Sequence, residues 1–337
     1  MSTVYIFGAG ASFPEGAPLI SNFIGRSFEK LANDTSEPII STWKFLSDYF
    51  GKNPSSSSAA INDYPTIDEI VTIVDYAISN NYSLSSFHTT TKLNQIKRGL
   101  VNLISRTIVE SITSNEKHKR FINELFIKRK EVNIISLNYD TLLDDAINNA
   151  YKKSQKQKIN YGFDSILTTT PRFNLLKLHG SLNWSLCPFC QKIHVHNTPV
   201  AHLLYSNYYT CTICGNTYSE PVIITPTLLK SYNIQRLNNV WLAAADSVSQ
   251  AKRLIFIGYS MALSDYPIIN LIKSAISRKN ILEEVIIIGV DSDKTQLGKR
   301  YCKIFGDRIK IAFDGNGFLG QTHWGTVFPD DLSIRSK

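Results

Sequence analysis

Strongly apolar runs of strand length punctuate the chain at Val4–Phe7, Val132–Leu137, Phe173–Leu178, Arg253–Ile257, Glu284–Val290 and Arg308–Phe313. Continuous rather than alternating apolarity is the pattern of strands buried on both faces of a sheet. Helical spacing lies between them. Apolar residues recur three and four positions apart from Leu19 through Phe23, Ile24 and Phe28 to Leu31. Further helices are predicted over Thr141–Tyr151, from about Ser264 to Ile276, and through Leu297. Each strand-to-helix step is too short for anything but a right-handed parallel crossover, so the pattern predicts an α/β fold with a doubly wound parallel sheet.

From Glu37 to Lys130 the pattern is helical throughout. Trp43, Phe45, Leu46, Tyr49 and Phe50 mark one helix, and Ser55–Ala60 is a serine-rich break read as a loop. Thr66-Ile67-Asp68-Glu69 has the form of a capping box opening a second helix. Leu93, Ile96, Leu100, Leu103, Ile104, Ile108 and Ile112 form one face of a long third, and Phe121–Phe126 belongs to a fourth. The block holds no catalytic cluster. It reads as a helical insertion that covers a site or makes a subunit contact.

Candidate chemistry collects where the apolar runs stop. Leu178 is followed by His179-Gly180, and Leu137 by Asn138-Tyr139-Asp140. In open α/β sheets ligands bind at the carboxyl edge of the strands, so an imidazole, an amide and a carboxylate are expected at one edge. A capped loop histidine is the alternative reading of His179 taken alone. The first run ends in Gly8-Ala9-Gly10-Ala11-Ser12, where strand, glycine turn and helix succeed one another as a phosphate cradle requires. Ser12 and Phe13 stand where the third glycine of the dinucleotide fingerprint is expected, which leaves a tight structural turn as an equal alternative. Asp291, after the Glu284–Val290 run, could accept a ribose hydroxyl, whereas a helix cap at Ser292 explains the neighbourhood equally well.

The strongest local signal is a pair of C-x-x-C knuckles, Cys187/Cys190 and Cys211/Cys214. That spacing brings four thiolates to tetrahedral zinc and leaves no open ligand position, so the metal is expected to be structural. A disulfide pair is the alternative. His194, His196 and His202 lie between the knuckles but are not needed as ligands, and Cys302 is expected in a helix as a small apolar residue.

At 337 residues, the chain is long enough for a main domain with a smaller attachment. An apolar share of 43% with 19% charged residues excludes a chain disordered throughout. Lysine and arginine total 36 against 28 acids, and the net charge of +8 suits an anionic ligand. The excess lies in Lys117–Arg120, Lys128–Lys130 and Lys152–Lys158, which fit solvated helix faces and a loop at least as well as a nucleic-acid patch. No apolar run is long enough to cross a bilayer and the start lacks a charged leader, so no membrane contact and a cytoplasmic location are expected.

Taken in order, Gly8-Ala9-Gly10-Ala11-Ser12, Leu137-Asn138-Tyr139-Asp140, Leu178-His179-Gly180, the four cysteines, Gly258-Tyr259-Ser260 and Val290-Asp291 resemble the sirtuin family. The resemblance runs from Met1 to Phe313. It implies a Rossmann-like NAD-binding domain (1–36, 131–183 and 222–337), broken by the helical insertion (37–130) and a zinc-ribbon module (184–221), and it implies cleavage of the nicotinamide–ribose bond. It further implies that Gly8, Ala9, Gly10, Ala11 and Ser12 with Gly258, Tyr259 and Ser260 hold the dinucleotide, and Asp291 the adenosine ribose. Asp140 would face the nicotinamide amide, Asn138 would orient the attacking oxygen or the ribose, and His179 would take a proton from a ribose hydroxyl or from water.

Two departures bear on the activity. Protein-deacylating sirtuins carry Asp-Phe-Arg after the glycine turn, where this chain has Phe13-Pro14-Glu15-Gly16-Ala17-Pro18-Leu19. They also carry a peptide-pairing Phe-Gly-Glu segment, where this chain has Glu220-Pro221-Val222-Ile223-Ile224-Thr225-Pro226-Thr227, whose prolines remove backbone donors. Pro226–Lys230 and Gly258–Asp265 look like the sirtuin-like NAD hydrolases of bacterial antiviral defence. The first expectation is therefore an NAD+ glycohydrolase that depletes NAD during phage infection, held inactive until a phage-derived trigger or partner ATPase acts on a homo-oligomer. An NAD-dependent lysine deacylase, a non-catalytic NAD or ADP-ribose sensor, and a zinc-ribbon nucleic-acid module are the competing expectations.

Overall fold

The computed structural model describes residues 2–51, 64–128, 131–152, 159–164, 173–204, 207–218, 220–228, 234–262, 265–290 and 294–318. Its strands are β1 (Thr3–Phe7), β2 (Val132–Ser136), β3 (Phe173–Lys177), β4 (Gly180–Leu186), β5 (Ile193–Val195), β6 (Tyr209–Thr210), β7 (Thr217–Tyr218), β8 (Glu220–Ile223), β9 (Arg253–Ile257), β10 (Glu284–Ile288) and β11 (Lys310–Asp314). The helices are α1 (Ala9–Ser12), α2 (Phe23–Leu31), α3 (Glu37–Phe50), α4 (Ile67–Ser79), α5 (Thr90–Ser111), α6 (Glu116–Lys128), α7 (Leu142–Lys152), α8 (Gln235–Ser249), α9 (Tyr266–Lys279) and α10 (Lys294–Phe305).

The six strands foreseen in the apolar runs form one sheet, ordered β11-β10-β9-β1-β2-β3. Every pairing in it is parallel. The chain moves outward from β1 through β2 to β3, then returns to begin its second half at β9, against the other side of β1. The strand order thus reverses between β1 and β9, and a crevice at the carboxyl ends of such a pair is where ligands bind in doubly wound sheets.

Alternate residues explain why the runs are apolar throughout. Tyr5, Phe7, Ile134, Ile255 and Ile257 pack on Phe121, Ile122 and Leu125 of α6 and on Leu143 and Ile147 of α7. Val4, Ile6, Ile135, Leu254 and Phe256 face the opposite layer, with Leu237 and Val240 of α8, Ile272 of α9 and Tyr301 of α10. Burying each such side chain contributes about 1.5–3 kcal/mol relative to exposure. The segment holding α6, which the sequence groups with the helical block, therefore lies on the sheet.

The other helices of the block build a core of their own, joined by α2 from before the block. Phe23 and Ile24 of α2, Phe45 and Leu46 of α3, Ile67, Ile70, Val71 and Val74 of α4, and Leu100, Ile104 and Ile108 of α5 share it with Leu182 of β4. Glu69 accepts hydrogen bonds from the Thr66 N–H and hydroxyl at 2.8 and 2.9 Å, so the start of α4 is fixed as the capping signal suggests. Antiparallel β5-β4-β8 and the β6–β7 pair carry the cysteine region beside this block.

Several expectations are altered. The helix read from Leu19 begins only at Phe23, and the turn after β1 leads into the four-residue α1. Pro14 and Gly16, the latter at φ 105°, end that helix. His118 lies in a basic stretch read as a solvated face, yet it is buried against Phe7 and Phe318. Cys302 is in α10 as expected but exposed, not in an apolar setting. Ser55–Ala60, Lys153–Lys158, Asp291 and Ser292 lie outside the described residues. No helix among the described residues is long and apolar enough to cross a membrane.

Candidate functional site

A cavity of about 770 Å³ opens at the carboxyl edge of the sheet. Gly8, Ala9, Gly10, Ser12, Asn138, Asp140, His179, Gly258, Tyr259 and Ser260 all line it. Ala11 does not; it is buried in the core against β1 and α6. The floor is made by two glycine turns pressed together, with the Gly8 and Gly10 N–H groups donating to Ile257 and Gly258 carbonyls at 2.9 Å. Gly258 has φ 61°, and a Cβ there would strike the backbone of Gly10 and Ala11. Any side chain at that position would part the turns. The Gly10 and Ala11 N–H groups are both spent inside the floor, and α1 is only four residues long. The expected helix terminus with free N–H groups is therefore largely absent, because Pro14 and Gly16 leave room for a single turn.

Strand β2 delivers Asn138 to this floor. Its Nδ2 donates to the Gly8 carbonyl and to Ser12 Oγ, each at 3.0 Å. Both amide hydrogens are engaged, so Oδ1 is what the side chain can offer a ligand. Asp140 Oδ1 accepts from the Leu142 N–H at 3.1 Å, which gives this carboxylate a share in capping α7. His179 Nδ1 lies 3.1 Å from the Leu137 carbonyl, an acceptor only, so Nδ1 carries the proton and Nε2 is the basic nitrogen. Asp265 Oδ1 stands 3.8 Å from that Nε2 and also lines the cavity. It sits where a carboxylate favours the imidazole after proton uptake.

Behind these groups is a buried ionic network. Lys177 and Asp144 are each 1% exposed and 2.9 Å apart. Lys177 Nζ also donates to the Asp140 carbonyl at 2.6 Å and to Ser181 Oγ at 2.5 Å, while the Tyr161 hydroxyl donates to Asp144 at 2.8 Å. The Leu182 N–H takes the Tyr139 carbonyl at 2.9 Å. One segment, residues 177–182, thereby holds three carbonyls of the Asn138 loop, those of Leu137, Tyr139 and Asp140.

Glu15 is a second buried acid, 1% exposed, beneath the Phe13–Pro14 wall. Burial pushes its carboxyl up, but the His118 ring, Ser114 and the Lys117 N–H outweigh that and hold it down to about 2. The Lys117 N–H donates to it at 2.6 Å. The opposite wall is apolar, with Phe23 of α2 and Ile67, Ile104 and Ile108 of the helical block.

Tyr139, Lys177, Asp265 and Glu15 were not read from the sequence as parts of a site. Lys177 carried a usable signal, since a lysine in a buried strand run needs an acid. The others depend on contacts between distant segments.

The four cysteines converge, with their sulfurs all within 4.8 Å of one another. Cys187 to Cys214 and Cys190 to Cys211 measure 3.6 Å, close to the ~3.8 Å edge of a tetrahedron with ~2.3 Å zinc–sulfur bonds and far from a ~2.05 Å disulfide. The residues fit a zinc ion and could hold one. Hydrogen bonds from the Asn216 backbone and amide lower the Cys214 thiol to about 6, while burial and the neighbouring sulfurs push Cys190 up to about 12, so the four thiols share their protons unevenly. His194 Nε2 contacts Cys211 Sγ at 3.3 Å, and His196 Nε2 is hydrogen-bonded to Ser185 Oγ at 2.7 Å. His194 thus borders the sulfur cluster and His196 is engaged by Ser185, and neither replaces a cysteine.

A family model described as the SIR2-like domain matches residues 132–301. No curated protein matches the chain. Among solved structures, a Sir2 homologue in complex with NAD is 15% identical, with 98% of this chain and 90% of that chain covered and a TM-score of 0.48. A structure addressing the mechanism and regulation of Sir2 enzymes is 16% identical over 99% and 93%, with a TM-score of 0.45. Sir2Tm bound to a propionylated peptide is 14% identical over 98% and 92%, with a TM-score of 0.40.

Proposed function

The chain belongs to the SIR2-like family, and on that footing we propose that it binds NAD+ and hydrolyses it to nicotinamide and ADP-ribose. The observation that carries this reading is the meeting of Asn138, Asp140 and His179 with both glycine turns in one cavity. Breaking the glycosidic bond releases neutral nicotinamide and leaves oxocarbenium character on the ribose, which needs an oriented nucleophile and a base. Asn138 Oδ1 accepts a hydrogen bond from water, His179 Nε2 takes the proton as the new C–O bond forms, and Asp265 steadies the charged ring. Asp140 faces the nicotinamide amide. The apolar wall from the helical block keeps bulk solvent from the cation.

Water rather than an acyl-lysine is favoured as the nucleophile's source because the peptide-docking strand is already occupied. The Ile224 N–H donates to the His179 carbonyl at 2.8 Å, and the Ile224 carbonyl accepts from the Tyr139 hydroxyl at 2.6 Å. Pro221 pairs with Ser185 inside the β4–β8 ladder. An incoming peptide finds neither partner at Ile224. A zinc held by Cys187, Cys190, Cys211 and Cys214 supplies structure and no chemistry at the cavity.

Resemblance to the antiviral-defence branch at Pro226–Lys230 and Gly258–Asp265 extends the proposal to NAD depletion during phage infection. The test is direct. Protein incubated with NAD+ and no acylated peptide should release nicotinamide and ADP-ribose, and cells expressing it should lose NAD on infection. Asn138→Ala and His179→Ala should each lower turnover about 10²–10⁴-fold; turnover surviving both would remove the assigned site.

A further inference from the structure

A dinucleotide brings two negative charges to a cavity whose described lining already includes two carboxylates, Asp140 and Asp265. Helix α1 does little to offset them, being one turn long with its Gly10 and Ala11 N–H groups spent. The Phe13–Leu19 wall adds only a buried acid, Glu15, already engaged at α6. Among the described lining residues, Arg300 is the only lysine or arginine. It projects from α10, and its Nη1 donates to the Ser260 carbonyl at 3.3 Å. That single bond anchors the guanidinium on the Gly258–Ser260 turn, which forms half of the floor, and leaves the remaining donors of an exposed side chain for a ligand. We propose that Arg300 binds a phosphate group of the nucleotide, supplying the positive charge that the glycine turns lack. Nothing in the residue's local sequence marks it; only the meeting of α10 with the β9 turn does.

This inference rests on the NAD reading, and titration calorimetry can separate the two. Wild type, Arg300→Gln and Arg300→Lys are compared with ADP-ribose and with its 2′-phosphate derivative as probes. Because Arg300 is exposed, both variants should keep the wild-type unfolding midpoint. Arg300→Gln should bind ADP-ribose about ten- to a hundredfold more weakly, with Arg300→Lys recovering part of the loss. A loss seen only with the 2′-phosphate derivative would overturn the assignment, because NAD+ carries no phosphate at that position. Equal binding of both probes by wild type and Arg300→Gln would overturn the inference and leave the NAD reading standing; wild type that binds neither probe would overturn both.

Discussion

Residues 177–182 and the cysteine knuckles that follow them are neighbours in the chain, yet they are held in opposite ways. The first segment is locked by protein alone, through Lys177, His179, Ser181 and Leu182 bonding to the Asn138 loop and to Asp144. Immediately around the sulfurs of the second, the buried cluster is small: Cys187, Cys211 and Tyr218, with Cys190 and Tyr209 packed against it. The lesson is that a cavity can be preorganised by desolvated hydrogen bonds, whereas a small appendage of short strands would draw on a metal held by its four cysteines.

Three experiments press on this contrast. The largest effect should come from metal removal, since structural zinc typically contributes about 10–16 kcal/mol of binding free energy. A chelator should abolish amide-exchange protection across the knuckles, residues 187–191 and 209–218, while β1 and β9 stay protected. Equal loss in both regions would erase the distinction. Next, Lys177→Met leaves Asp144 buried without its counter-charge and should cost about 3–5 kcal/mol in urea unfolding. Adding Asp144→Leu should restore much of that stability but not NAD turnover, because the Asp140 carbonyl has still lost its donor. Recovery of both would make the pair a mere filler.

The smallest effect concerns Glu15 and depends on pH. Its carboxyl is lowered from 4.5 to about 2 in the folded protein, so its contribution is full above pH 4.5 and disappears as pH falls toward 2. Glu15→Gln should lower stability at pH 7 by about 3 kcal/mol, and the gap to wild type should close between pH 4.5 and 2. A gap independent of pH would show that shape rather than charge matters there.

What could be read in advance follows from the range of the interactions. The sheet was readable because each strand is predominantly apolar with apolar residues on both faces, and the cysteine cluster because its spacing encodes its geometry. Asn138 and His179 were readable as residues placed where such runs stop. The helix after β1 was misjudged because apolar spacing from Leu19 outweighed the breaks imposed by Pro14, Gly16 and Pro18. Glu15 meets Lys117 across 102 positions, and Arg300 meets Ser260 across 40. No local pattern encodes such pairs, and Asp265 reaches His179 only once β9 and β3 share a sheet.

The abutting turns at Gly8–Gly10 and Gly258 have a temporal meaning. Two hundred and fifty positions separate Gly8 from Gly258, so one half of the cavity floor is translated long before the other. A nascent chain stalled before β9 has no complete pocket.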